Sequence, residues 1–180
     1  MKIISTSPYD KESDKMEKIS AEMTLCPIAR SEGEVGDRWT VLILRELFMR
    51  VHRFEEIQAQ TGGTPQMIAA RLKKLQEDGL VERRRYTERP PRYEYHLTEK
   101  GEAFYPVILA LRAWGERWCK SPDEGRAVNY LHRTCGKPAG LGPVCESCGQ
   151  PLQRKDLITE LNPAYQSERE ERAEAFKASR

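Results

Sequence analysis

Apolar residues recur along the chain with helical spacing in its first half, and each recurrence predicts an element. Cys26-Pro27 opens a short helix, P-I-A-R-S-E-G-E-V, that ends near Gly36. In D-R-W-T-V-L-I-L-R-E-L-F (residues 37–48) Trp39, Leu42, Ile43 and Leu47 combine with Val41, Leu44 and Phe48. That surface is too wide for a surface helix and predicts the centre of the core. A short helix follows, F-E-E-I-Q-A-Q-T, held by Phe54 and Ile57 and stopped by Gly62-Gly63. The next stretch, Thr64 to Leu75, has a hydroxyl N-cap and then a proline at the first helical position, where the missing N–H costs nothing. Its Ile68, Leu72 and Leu75 fall at i, i+4 and i+7, a single buried stripe. The opposite face carries Gln66, Ala69, Ala70, Arg71, Lys73 and Lys74, slim and basic. Such a face is narrow enough for a major groove about 12 Å wide. Taken alone, the segment also reads as an ordinary amphipathic surface helix.

The pattern then changes. Leu80–Tyr86 and Arg92–Leu97 read as strands, and T-E-R-P-P between them is a hairpin tip that cannot be helical. Two helices joined by a tight glycine turn, the second basic, form a helix-turn-helix, and a basic hairpin behind it makes a winged helix. The hairpin's arginines suit phosphates or a narrow minor groove, although charge and proline also blunt a bare sheet edge. Thr98 caps a long helix expected from about Glu99 to Cys119. Phe104, Val107, Ile108, Leu111, Trp114 and Trp118 stripe that helix with alternating steps of three and four, the spacing of a partner-packing seam. A homodimer is the expected consequence, with the N-terminal helix a second candidate to cover part of the seam and Cys119 a packing residue beside it.

Composition sharpens this picture in one place. The 180 residues are 38% hydrophobic and 32% charged, with a net charge of only +2, which by itself does not call for nucleic acid. Yet residues 83–92 hold five arginines against one glutamate. No apolar run approaches the ~20 residues a bilayer requires, and no apolar signal core opens the chain, so a cytoplasmic protein without membrane contact is expected.

Five cysteines, three of them within fourteen residues, do not form a disulfide framework. His132-x2-Cys135-Gly and Cys145-x2-Cys148-Gly instead suggest two turns, each presenting two ligands to one ion, with the glycine relieving each turn. Three thiolates and an imidazole form a closed tetrahedral set suited to structural zinc, with no open position for catalysis. The same residues also allow a Cys145–Cys148 redox pair, or a ribbon that folds loosely without an ion. The organisation expected is a polar arm over 1–22, a winged-helix and dimerisation domain over 23–120, a linker and zinc-ribbon-like module over 121–152, and a charged tail over 153–180, solvated helix or disordered. The fold class is mainly α with a small β-hairpin wing (α+β), a winged helix-turn-helix plus the small C-terminal module.

The blocks C-P-I-A-R, G-D-R-W-T-V-L-I-L-R-E-L, R-F-E-E-I, T-P-Q-M-I-A-A-R-L-K-K-L, G-L-V-E-R, P-P-R-Y-E-Y-H-L-T-E-K-G and A-W-G-E-R-W resemble the HxlR-type transcriptional regulators, winged-helix proteins related to MarR. The resemblance runs from about Leu25 to Cys119. It implies a homodimeric regulator, a repressor by preference, that binds a double-stranded DNA operator and responds to a small molecule or oxidant. Carried over by position, Thr64, Gln66, Ala70, Arg71 and Lys74 face bases or nearby phosphates, while Arg53, Arg89 and Arg92 hold the backbone. Ala69 and Ala70 stand where many relatives carry polar side chains, which leaves fewer hydrogen bonds for base readout.

Several relatives sense electrophiles or oxidants through a cysteine at the position of Cys26. Here it precedes Pro27 at a helix N-terminus, where the dipole and unpaired N–H groups favour negative charge, although a small cysteine also packs well unreactively. Two competing functions remain open on the residues alone. A winged helix with a zinc ribbon also suits protein interaction within a transcription assembly. A thiol oxidoreductase lacks a nucleophile–base pair, since His52 and His96 lie far in sequence from any cysteine and His96 reads as an exposed strand residue. No enzymatic activity is expected.

Overall fold

The computed structural model describes residues 25–121 and 123–179; the polar arm expected over 1–22 lies outside them. The chain divides into two units at Asp37. Within the first, α1 (Pro27–Val35) starts at the Cys26 N-cap with its proline in the first turn and buries none of its residues.

The second unit opens on α2 (Arg38–Phe48), which buries Ile43, Leu44, Leu47 and Phe48 and supplies the centre of the core as its width foretold. Helix α3 (Phe54–Thr61) packs on it through Ile57 and ends at Gly62 in the left-handed conformation. The second glycine of the turn leaves room. A Cβ on Gly63 would sit 2.6 Å from Ile68 Cδ1 and 3.2 Å from Trp39, so a larger residue would have to displace the buried Ile68 side chain where α4 (Pro65–Glu77) packs. Thr64 caps α4 by accepting from the Met67 amide, and Ile68, Leu72 and Leu75 complete the core.

The wing is β1 (Val81–Thr87) paired antiparallel with β2 (Arg92–Leu97), from Val81 opposite Leu97 outward to Thr87 opposite Arg92, with an irregularity after Arg85. His52 fastens its base. The Tyr95 amide donates to the His52 carbonyl at 2.9 Å, and His52 Nδ1 bonds the Tyr95 carbonyl at 2.9 Å. Because a carbonyl only accepts, that nitrogen carries the proton.

The single helix expected from Glu99 to Cys119 is two. Thr98 caps a short α5 (Glu99–Glu102), and α6 (Tyr105–Trp118) begins after a turn at Ala103 and Phe104. Pro106 explains the break: it has no N–H to donate to Glu102, and its ring collides with the carbonyl four residues back. The apolar stripe is divided as well. Tyr105 and Leu109 are buried, whereas Val107, Leu111, Trp114 (58% exposed) and Trp118 (66%) face outward.

Beyond Ser121 the chain forms a three-stranded antiparallel sheet in the order β4-β3-β5, from β3 (Val128–His132), β4 (Lys137–Pro138) and β5 (Leu157–Leu161). Strand β5 lies beyond the boundary expected at residue 152 and pairs with β3. Its Leu157 lies opposite His132 and its Leu161 opposite Val128. The final helix α7 (Pro163–Ala178), capped by Asn162, is not a tail solvated on all sides. It packs on α3, with Gln60 Nε2 donating to the Arg169 carbonyl at 2.8 Å.

Two arginines join the module to the winged helix. Arg112 of α6 reaches the carbonyls of Leu141 (3.0 Å) and Val128 (2.5 Å) and lies 4.7 Å over the Tyr130 ring. Arg154 donates to the Phe48 carbonyl at 2.7 Å. No described helix is long and apolar enough to cross a membrane.

Candidate nucleic-acid interface and metal centre

With Ile68, Leu72 and Leu75 turned to the core, the first half of α4 leaves Gln66, Met67, Ala69 and Ala70 exposed, and Thr64 stands exposed at the cap. Arg71 is half-buried on the flank. Lys74 is turned along the helix, its Nζ 2.7 Å from Asp78 Oδ2, which draws it away from the N-terminal contact face expected of it. Met67, 37% exposed, adds an apolar surface between Gln66 and Ala70; it lies outside the buried stripe of Ile68, Leu72 and Leu75, so apolar spacing carries no signal for it.

The wing gathers the backbone candidates. Arg89 and Arg92 are exposed at its tip. Arg53, at the N-cap of α3, is bridged to Glu94 of β2, with its Nε 3.3 Å from Glu94 Oε1 and its guanidinium 5.1 Å over the Tyr86 ring. The hydrogen bond to Glu94 first, and then the charge fields of Tyr86 and Glu56, raise the Arg53 pKa. Arg83 stacks 3.9 Å over Tyr93. His96, expected to be exposed, is half-buried against His52, with ring centroids 4.3 Å apart. Cys26 is exposed at the N-cap of α1, where its side chain makes no capping bond.

The second site lies at the end of β3. His132 closes the strand, and the chain turns over 133–136, where Gly136 (φ 68°) donates its amide to the His132 carbonyl at 2.8 Å. Cys145 begins a turn of the same kind, closed by the Gly149 amide (φ 74°) on the Cys145 carbonyl, also at 2.8 Å. Positive φ is why glycine follows the second ligand of each turn.

The two turns bring His132, Cys135, Cys145 and Cys148 together, all four ligand atoms lying within 4.8 Å of one another, in an arrangement that could hold a metal ion. Cys135 Sγ is 3.4 Å from His132 Nδ1 and 3.8 Å from Cys145 Sγ, and Cys148 Sγ is 3.3 Å from the same ring nitrogen. His132 and Cys145 are buried. Burial pushes the Cys145 thiol up, but amide bonds from Ser147 and Cys148, with the neighbouring Cys148 and Cys135 sulfurs, carry its pKa down to about 7. Cys148 goes the other way: against the Gln150 amide, burial and the Cys145 and Cys135 sulfurs push its thiol up, so Cys145 is the sulfur of this pair that ionises first.

Three comparisons bear on this architecture. The model of the HxlR-like helix-turn-helix family matches residues 34–123, half of the chain. The HTH-type transcriptional regulator Mb3122 of Mycobacterium bovis, itself uncharacterised, is 35% identical over 140 residues, covering 78% of this chain and 88% of its own. The HTH-type transcriptional regulator YodB of Bacillus subtilis is 37% identical over 102 residues, 56% of this chain and 91% of YodB. Among solved structures, PA1607, described as a candidate transcription factor, is similar with a TM-score of 0.61 and 35% identity, over 80% of this chain and 99% of that one.

Proposed function

The chain belongs to the HxlR-like helix-turn-helix family of DNA-binding transcriptional regulators, and from that premise we propose a homodimer that reads an operator with α4 in the major groove and the wing on the flanking backbone. The observation that carries this reading is the presentation of α4: a capped N-terminal half, exposed at Gln66, Met67, Ala69 and Ala70, ahead of an arginine-rich hairpin. Gln66 and Thr64 are assigned to bases, with Ala70 and Met67 suited to apolar contact with a thymine methyl. Arg71, Arg53, Arg89 and Arg92 are assigned to phosphates, which fix register and supply most of the affinity. Lys74 contributes only if it releases Asp78. The exposed α6 face of Val107, Leu111, Trp114 and Trp118 is assigned to the dimer, because an apolar patch of that kind is costly in water. Trp114→Glu should convert the dimer to monomer in sedimentation analysis.

The metal assigned to the four-residue cluster is structural zinc. With Zn–S bonds of about 2.3 Å and Zn–N bonds of about 2.0 Å, tetrahedral geometry requires edges of about 3.8 Å between sulfurs and about 3.5 Å between sulfur and nitrogen. The cluster has 3.8 Å for one sulfur pair and 3.3 and 3.4 Å for two sulfur–nitrogen pairs. All four positions are taken by protein, so the ion would hold the two turns together and leave no site for a substrate.

The regulator acts as a cytoplasmic repressor answering an oxidant or a small molecule. Cys26, exposed at a helix N-terminus, is the residue through which an oxidant would act. The test is a gel shift on the DNA upstream of its own gene, across a salt series, with and without a mild oxidant. A footprint of operator size at near-physiological salt is expected, with release by oxidant that Cys26→Ser abolishes. Salt-insensitive or purely non-specific retention, there and in a genome-wide pull-down, would overturn the operator reading.

A further inference from the structure

A cavity of about 870 Å³ opens between α3, the wing and α7. Its volume falls within the range of small-molecule sites. Helix α7 lies outside the span matched by the family model, so the groove is a construction of the C-terminal extension on the winged helix. Its walls carry aromatic rings from all three elements: Phe54 and Phe176, with Tyr86, which already lies under Arg53, and Tyr93, which lies under Arg83. Arg50, Arg92 and Lys177 add cationic groups, alongside Arg53 and Arg169, which are already engaged with Glu94 and Glu46; the acids Glu55 and Glu56 line the α3 side, so the cations remain in the majority.

Arg50 is the most informative of these. It follows α2 with a φ of 65°, while the Val51 amide closes back on the Glu46 carbonyl at 3.0 Å. That is a helix-ending position where glycine is the low-energy choice. An arginine there carries backbone strain that glycine would not, and what it gains is a guanidinium lining the groove. Flat rings surrounded by an excess of cations are complementary to a flat anion, which stacks on the aromatic walls while its charge meets arginine and lysine.

We propose that this groove binds a planar aromatic carboxylate. Where Arg53 and Arg92 also hold DNA phosphates, a role that rests on the function proposed above, the bound acid competes with the operator and acts as its releasing signal.

The probe is 2-naphthoate, titrated calorimetrically into the full-length protein without DNA, with 2-naphthamide as its neutral counterpart and inorganic phosphate as a non-aromatic anion. One 2-naphthoate per chain is expected, with 2-naphthamide and the Lys177→Gln variant each weaker by about tenfold, as a lost charge-assisted contact dictates. Ala173→Trp, which fills the groove from α7, should abolish binding while circular dichroism stays unchanged.

Absence of binding at millimolar 2-naphthoate would overturn the proposal. So would undiminished binding in both variants, which would place the acid elsewhere, for instance on the exposed α6 tryptophans. Phosphate binding as tightly as 2-naphthoate would assign the groove to the nucleic-acid backbone. The gel shift is then repeated with 2-naphthoate present. Unchanged operator affinity would overturn the competition alone, and failure to bind DNA at all is read from the lanes without 2-naphthoate, so the two ideas fail separately.

Discussion

Glu46 has no solvent exposure and is met by Arg169 from the far end of the chain, Nη1 lying 3.1 Å from its Oε1 and Nη2 2.5 Å from its Oε2. Arg45 adds a bond to Oε1 at 2.8 Å. A carboxylate within the core helix is tolerable only with such partners, because an uncompensated buried charge costs more than most packing gains. This pair pins α7 to the helix-turn-helix.

Arg169→Met should therefore destabilise the protein by about 3 kcal/mol, slightly softened by Arg45. Chemical denaturation measures it, and proteolysis should cut α7 first. Replacing both partners, Glu46→Leu with Arg169→Leu, should recover most of the loss. If the double variant were as unstable as the single one, α7 would be held by something other than this pair.

The winged helix was legible because its signals are local: the Thr64 cap and Pro65, the stripe of Ile68, Leu72 and Leu75, and the T-E-R-P-P tip all specify backbone geometry within a few residues. The two glycine-closed turns that gather His132, Cys135, Cys145 and Cys148 were legible for the same reason. What sequence concealed was long-range. Glu46 inside L-R-E-L announced a buried acid in need of a cation, but nothing local pointed 123 residues on to Arg169. Likewise β5 (L-I-T-E-L) is too short and half-polar to identify without its pairing to β3. Pro106 marks the break, but the apolar stripe that continues through it from Phe104 to Trp118 masks that local signal.

Metal content follows from the cluster. One zinc per chain is expected in freshly purified protein, and Cys145→Ser or a strong chelator should release it. Because β5 pairs with β3 beside His132 and runs through Asn162 into α7, the loosening should spread beyond the sheet. Hydrogen exchange should rise over 121–161 and then over α7, while α2 and α4 stay protected. Zinc-free protein with full protection in the sheet would remove the metal from the account.

Recognition separates into two kinds of contact. Arg92→Ala should weaken binding to all DNA about equally and lower the salt slope by about one, whereas Gln66→Ala should cost about 1–3 kcal/mol on the preferred sequence and change which base is favoured. Competitive selection from a randomised duplex pool reads both. Uniform loss from both variants would mean that α4 does not read bases.

The wing should also sense acid. Burial first, then the nearby His52 and Arg84, hold the His96 pKa below its ordinary value, with Glu94 at 3.5 Å opposing them. The folded protein thus binds this proton less readily than the unfolded chain, whose histidine titrates near pH ~6.5. Stability from this group is fully present above that value and is lost as pH falls toward and through the lower folded value. Protonation would place a second cation against the His52 ring and beside Arg84, working against the two Tyr95–His52 bonds that fasten the wing. Melting curves at pH about 7.5 and about 5.5 should show a drop in wild type that is smaller in His96→Gln, which keeps a neutral polar group at every pH. Equal drops in the two proteins would mean that His96 titrates alike in both states and that the stacked pair carries no acid response.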